Sequence, residues 1–127
     1  MALSAVIHSF LAQVQYYDLL MKTLYLLRHA KSSQDNPDLK DFERPLAVRG
    51  IKDLPIVAER FKARNGRVGC IICSPAVRTK TTAKMFAKLI GFSSDDVGSN
   101  PDLYFAGSTM FLKAASLLDD ECESAML

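Results

Sequence analysis

Residues 22–33 read KTLYLLRHAKSS, and the reading of this stretch decides the fold. Lys22 to Leu27 is a short run rich in Leu and Tyr with polar residues beyond it, which predicts a β-strand. Arg28, His29 and Lys31 then end the apolar run with three basic groups in four residues. A strand that has merely reached water would end this way. So would a strand that delivers a nucleophile and its anion clamp to the rim of a sheet.

Working outward, residues 30–50 carry Pro37, Pro45 and Gly50 among many charges and read as a loop. From Ile51, the apolar residues Ile51, Leu54, Val57, Ala58 and Phe61 fall at helical spacing. Pro55 places the regular part of that helix within a turn of itself, and Asn65-Gly66 stops it. Residues 68–73, VGCIIC, predict a second strand. Ser74-Pro75 then reads as a helix N-cap followed by proline at the first helical position. Val77, Thr81, Met85, Phe86, Leu89 and Ile90 mark one face of a helix that ends at Gly91. A third helix is expected from Ser108 to Leu118, burying Phe111, Ala114, Ala115 and Leu118, and residues 124–127 begin another strand.

This order of elements predicts an α/β fold with a parallel sheet. Ligands in such sheets bind beyond the carboxyl ends of the strands. If the first two strands are parallel neighbours, His29 and Arg78 converge on one rim.

The chain has 127 residues, 49% of them hydrophobic and 24% charged, which suits one globular domain. Its net charge of +2 argues neither for nor against nucleic acid, but the distribution is uneven. Residues 21–92 hold fifteen Lys/Arg against six acids, and residues 93–127 hold one Lys against seven acids. The basic part could draw in anions, or its charges could lie on solvated helix faces. Cys70 and Cys73 have the spacing of a redox or zinc motif, but on a strand they point to opposite faces and read as buried thiols. Cys70, Cys73 and Cys122 make no disulfide framework, and reduced thiols suit a cytoplasmic setting. No run is long and apolar enough for a membrane span, and the apolar opening lacks the charged start of a signal peptide. Residues 1–20 are expected to be an N-terminal extension outside the core, and residues 21–127 the domain.

A neutral imidazole is a good nucleophile toward phosphorus. A guanidinium stays charged and grips phosphate oxygens as a fork, so Arg28 and Arg78 suit a clamp. Arg78 would act beside the backbone N–H groups of a helix start. Taken singly, a histidine at a strand end and an arginine on a helix are as readily structural.

Three blocks remove that ambiguity. LYLLRHAKSS, DFERPLAVRG and CSPAVRTKTTA resemble, in content, order and spacing, the SixA-type phosphohistidine phosphatases of the histidine phosphatase superfamily, also called phosphoglycerate mutase-like. The resemblance covers residues 21–127, and RHAKS is closer to the SixA-type branch than to the mutases, which read RHG. It implies a three-layer parallel-sheet core and a hydrolase that removes phosphoryl groups from phosphohistidine. His29 is then the nucleophile that becomes phosphorylated, with Arg28 and Arg78 as clamp. Arg44-Pro45-Leu46 matches a loop-ordering element, Lys31 and Ser32 lie near enough to touch substrate, and Asp102 is the candidate proton donor. Partners would be a phosphorylated protein or small phosphate-bearing substrate, with no nucleic acid, membrane, metal or other cofactor.

The family pattern also has a second histidine in a GHNP-like block after the next core strand. This sequence holds only His8 and His29. The expectation is therefore a domain incomplete at its C-terminus, lacking one wall of the phosphate pocket and a central strand. A rival reading is an inactive truncated homologue that binds anions or a protein partner. A nucleotide-binding domain is disfavoured by the lack of a P-loop or GxGxxG.

Overall fold

The computed structural model describes residues 22–127, so the reading of residues 1–20 as an extension lies outside the described residues. Four short strands alternate with helices: β1 (Thr23–Tyr25), α1 (Val48–Ala63), β2 (Cys70–Cys73), α2 (Val77–Leu89), β3 (Gly98–Ser99), α3 (Ser108–Ser116) and β4 (Ser124–Met126). Every pairing is parallel, and the sheet order is β1–β4–β2–β3. This is an α/β fold with a parallel sheet between two helical layers.

Side-chain alternation along the strands builds the layers. Ile71, Cys73 and Met126 face α1 and α2, where Leu54, Ala58, Ala83, Phe86 and Ala87 are buried. On the other face Ile72 and Leu127 pack with Phe111 and Ala114 of α3. Phe61 joins the sheet to both helices of the first layer. Its ring stands edge-on to Tyr25 at 5.0 Å and to Phe86 at 5.6 Å.

The first two strands are not neighbours. β4 lies between them, pairing Leu24 with Ala125 on one side and Ile71 with Met126 on the other. The expected gap at the sheet centre is therefore closed by Ser124–Met126, whose Ala125 and Met126 are buried. β3 was not foreseen because two residues, Gly98 and Ser99, carry no periodic signal.

Helix boundaries differ from expectation where backbone contacts override local preference. α1 starts three residues before Ile51 and continues through Pro55. Pro55 and Ile51 are both exposed, so water can take the carbonyl that the proline ring leaves unpaired. The buried stripe of α1 is Gly50, Leu54 and Ala58, and it is Gly50 that lets the helix approach the chain after His29. A Cβ there would lie 2.8 Å from the Lys31 backbone nitrogen. The stop at Asn65-Gly66 is as read: Asn65 takes φ 56° and Gly66 N–H donates to the Phe61 carbonyl.

α2 begins at Val77, later than the Ser74 cap implies. Ser74 Oγ instead accepts from Ala76 N–H at 3.3 Å, making a side-chain turn ahead of the helix. The buried face is Arg78, Thr82, Ala83, Phe86 and Ala87, while Val77 is exposed. Counting apolar residues missed this rotation because two polar side chains point inward.

The cysteine reading is corrected. Cys70 and Cys122 form a disulfide, and Cys73 alone is free and buried. The register that sets Cys70 opposite Ala125 also brings Cys122, just before β4, beside the start of β2. Reduced thiols thus no longer support a cytoplasmic setting. The bridge spans 52 residues, and in a chain-entropy account closing a loop of that length contributes up to ~4 kcal/mol. Cys122→Ser should lower the unfolding free energy by a comparable amount and make the denaturant midpoint insensitive to reductant, as unfolding with and without dithiothreitol would show.

Candidate active site

Beyond Tyr25 the β1 chain stays paired, with Leu27 N–H donating to the Leu127 carbonyl at 2.9 Å. Arg28 and His29 therefore emerge at the carboxyl end of the sheet. Two ties fix the backbone after them. Ala30 N–H donates to Thr82 Oγ at 3.0 Å, and the Thr82 hydroxyl donates to the Arg78 carbonyl at 2.7 Å. The chain that carries His29 is thus stitched to the turn of α2 that carries Arg78. On the other side the Lys31 carbonyl accepts from Ala47 N–H at 2.8 Å, the residue that precedes α1.

His29 is half-buried, and its Nδ1 lies 2.9 Å from the Ala30 carbonyl oxygen. A carbonyl only accepts, so Nδ1 carries the proton in this bond. In the neutral ring the lone pair then sits on Nε2.

Arg78 is 8% exposed, and its charge is met by Asp41. One terminal nitrogen donates to the Asp41 carbonyl at 2.6 Å and the other to its carboxylate at 3.0 Å. Asp41 gathers two further donors: Tyr104 hydroxyl at 2.9 Å and Arg44 at 3.2 Å. Arg44 in turn donates to the Ser33 carbonyl at 3.0 Å and to Ser32 Oγ at 2.7 Å. Arg44 thus orders the loop, as its RPL block implies, and it also holds the Asp41 carboxylate.

A cavity of about 330 Å³ opens at the carboxyl ends of β1, β2 and β4, lined by Arg28, His29, Ser74, Arg78, Tyr104 and Phe105 among others. A neighbouring recess shares Arg28 and His29 and adds Lys31, Ser32 and Arg44. The structure thus brings Arg28, His29 and Arg78 to one cavity, with Lys31 and Ser32 beside it. Asp102 does not join them. It is exposed on the turn Pro101–Leu103, where its N–H donates to Asn100 Oδ1, while Leu103 and Tyr104 line the cavity. Among the described residues, no group of three or more His, Cys, Asp or Glu gathers to hold a metal, and no helix is long and apolar enough to cross a membrane.

Sequence reading missed Asp41, Thr82 and Tyr104. Asp41 stands three residues before Arg44 in DFERPL, a spacing that pairs charges on one turn. Nothing local marks Thr82 or Tyr104, whose partners are distant in sequence.

The hydrogen bond from Tyr104, reinforced by Arg78 and Arg44, holds the Asp41 carboxyl below its ordinary value against partial burial. Burial and the adjacent Asp41 charge push the Tyr104 phenol up. No protein-family model matches the chain. Its sequence is 37% identical over 86 residues to an uncharacterized chloroplastic protein of Arabidopsis thaliana, covering 67% of this chain. The chain spans 39% of the length of that relative.

Solved structures define the class: the fold is that of the histidine phosphatases. Within it, the neighbours carry the name SixA. A protein of Agrobacterium tumefaciens so named superposes with a TM-score of 0.74 at 29% identity, covering 84% of this chain and 68% of its own. A second, from Nakamurella multipartitia, gives 0.68 at 24% identity, covering 83% and 56%. A protein histidine phosphatase SixA solved with tungstate gives 0.69 at 20%, covering 81% and 65%. The resemblance carried by the three sequence blocks therefore holds at the level of the whole fold, over most of this chain.

Two expectations follow from the geometry. Thr82→Val keeps the shape but leaves Ala30 N–H without its partner, a loss of about 1–3 kcal/mol that denaturant unfolding would measure. Because the folded Asp41 value is depressed, its contribution is fully present above the ordinary carboxylate pKa and is lost as the pH falls through the folded value. Stability should therefore fall more steeply with acid in the native chain than in Asp41→Asn, as unfolding curves at descending pH would show.

Proposed function

We propose that the chain carries the nucleophile side of a phosphohistidine phosphatase site, with His29 as the attacking group. The observation that supports this most is the meeting of His29, Arg28 and Arg78 in one cavity beyond the strand ends. The likeness to the Agrobacterium SixA protein supports the same activity. Phosphoryl transfer asks mainly for positioning and charge neutralisation, which these residues supply.

In this reading the lone pair on His29 Nε2 attacks phosphorus in line. A new N–P bond forms as the bond to the leaving imidazole breaks, and that imidazole takes up a proton. Water then attacks the phosphorylated His29 and releases inorganic phosphate. Arg28, exposed at the mouth, and Arg78 within share the non-bridging oxygens. Lys31 meets the substrate from the adjoining recess, while Ser32 holds Arg44. Asp102 is assigned the proton for the leaving group on chemical grounds, and its exposed side chain must swing inward to deliver it. The substrate class is a phosphohistidine protein or a small phosphorylated molecule, and no metal or organic cofactor enters a step.

The test is to trap the intermediate. After incubation with a phosphohistidine peptide and an alkaline quench, mass spectrometry should find the phosphoryl group on His29 and on no residue of His29→Ala. Label on another residue would overturn the assignment. Phosphate binding with no label on His29 would favour an anion-binding homologue instead.

A further inference from the structure

The Asp41 contact raises a question of sign. A carboxylate beside an anion site ordinarily weakens anion binding by repulsion, and Asp41 lies against the arginine proposed to hold phosphate. Its geometry indicates the opposite effect. A guanidinium has five N–H donors in a rigid plane. Arg78 spends one on each terminal nitrogen, both on Asp41. Nε–H and one further N–H on each terminal nitrogen have no partner among the described residues, and no side-chain nitrogen there is both buried and unsatisfied. Nε, which has no partner, is therefore not fully buried, and Arg78 lines the cavity.

Asp41 is itself tied from two other segments. Arg44 reaches it from its own loop and Tyr104 from the turn after β3. Its backbone carbonyl and carboxylate grip Arg78 at two points, which fixes both the position and the rotation of the guanidinium plane. Resting on the phosphatase reading above, we infer that Asp41 is a positioning residue: it aims the free donors of Arg78 at the phosphoryl group, and this outweighs its repulsion of the anion. Tyr104 and Arg44 serve the same end by fixing Asp41.

The probe is inorganic phosphate, titrated into the 127-residue chain by calorimetry. Asp41→Asn keeps the shape and removes the charge. Repulsion alone predicts tighter binding in this variant, whereas positioning predicts binding weaker by about tenfold, the scale of one charge-assisted hydrogen bond. The same change in an Arg78→Lys background separates aiming from general loosening, because lysine keeps the charge without the fork. There Asp41→Asn should leave phosphate affinity unchanged or raise it. Unchanged or tighter binding in the native background would overturn the inference, as would equal weakening in both. If the native chain shows no phosphate binding at all, the phosphatase reading itself fails and takes the inference with it. Should Asp41→Asn unfold, Tyr104→Phe, which spares the charge, is read in the same two backgrounds with the same signs expected.

Discussion

The insertion of β4 between β1 and β2 is the constraint from which the site follows. Strands in a sheet lie about 4.8 Å apart, so two strands flanking a third are separated by roughly 10 Å. His29 leaves from the end of β1, and Arg78 follows the end of β2. Had the two strands been neighbours, imidazole and guanidinium would meet each other. With β4 between them, a space remains that a tetrahedral anion could fill, and the cavity of about 330 Å³ opens there. The pairing on both sides of β4 also explains the covalent tie at the opposite end, where Cys122 enters beside Cys70.

That separation creates an electrostatic problem. Arg28, Arg44 and Arg78 converge on a small volume, and Arg78 is almost wholly buried. An unpaired buried charge is costly, so folding requires a counter-charge even when no ligand is bound. Asp41 supplies it from the 3-10 turn Asp41–Glu43. A single carboxylate against three guanidinium groups leaves the region positive. The arrangement is therefore stable when empty and still favourable to an incoming anion.

The elements with strong periodicity were legible in the sequence: β1, β2, all three helices, and the start of β4. The strand-end placement of Arg28 and His29 followed from one apolar run meeting three basic residues. The strand order could not be read, because pairing between β1 and β4 depends on contacts about a hundred residues apart in the chain. The Cys70–Cys122 bridge was missed for the same reason, since local spacing directed attention to Cys73. Residues of the site divide likewise. Arg28, His29 and Arg78 stand in recognisable blocks, whereas Tyr104 and Thr82 matter only through partners 63 and 52 positions away.

The face of α2 shows why this division falls where it does. Apolar periodicity predicted that Val77 and Thr81 would point inward, but Arg78 and Thr82 do. Burying those polar groups is tolerable only because each is satisfied: Arg78 by Asp41, and Thr82 by accepting from Ala30 and donating to the Arg78 carbonyl. Asp41 and Ala30 both lie in the chain that follows His29. The helix is therefore rotated toward the site by hydrogen bonds that exist only once β1 and its loop are in place. A local rule fails at this face because the tertiary contacts that override it also tie the chain carrying His29 to the helix carrying Arg78.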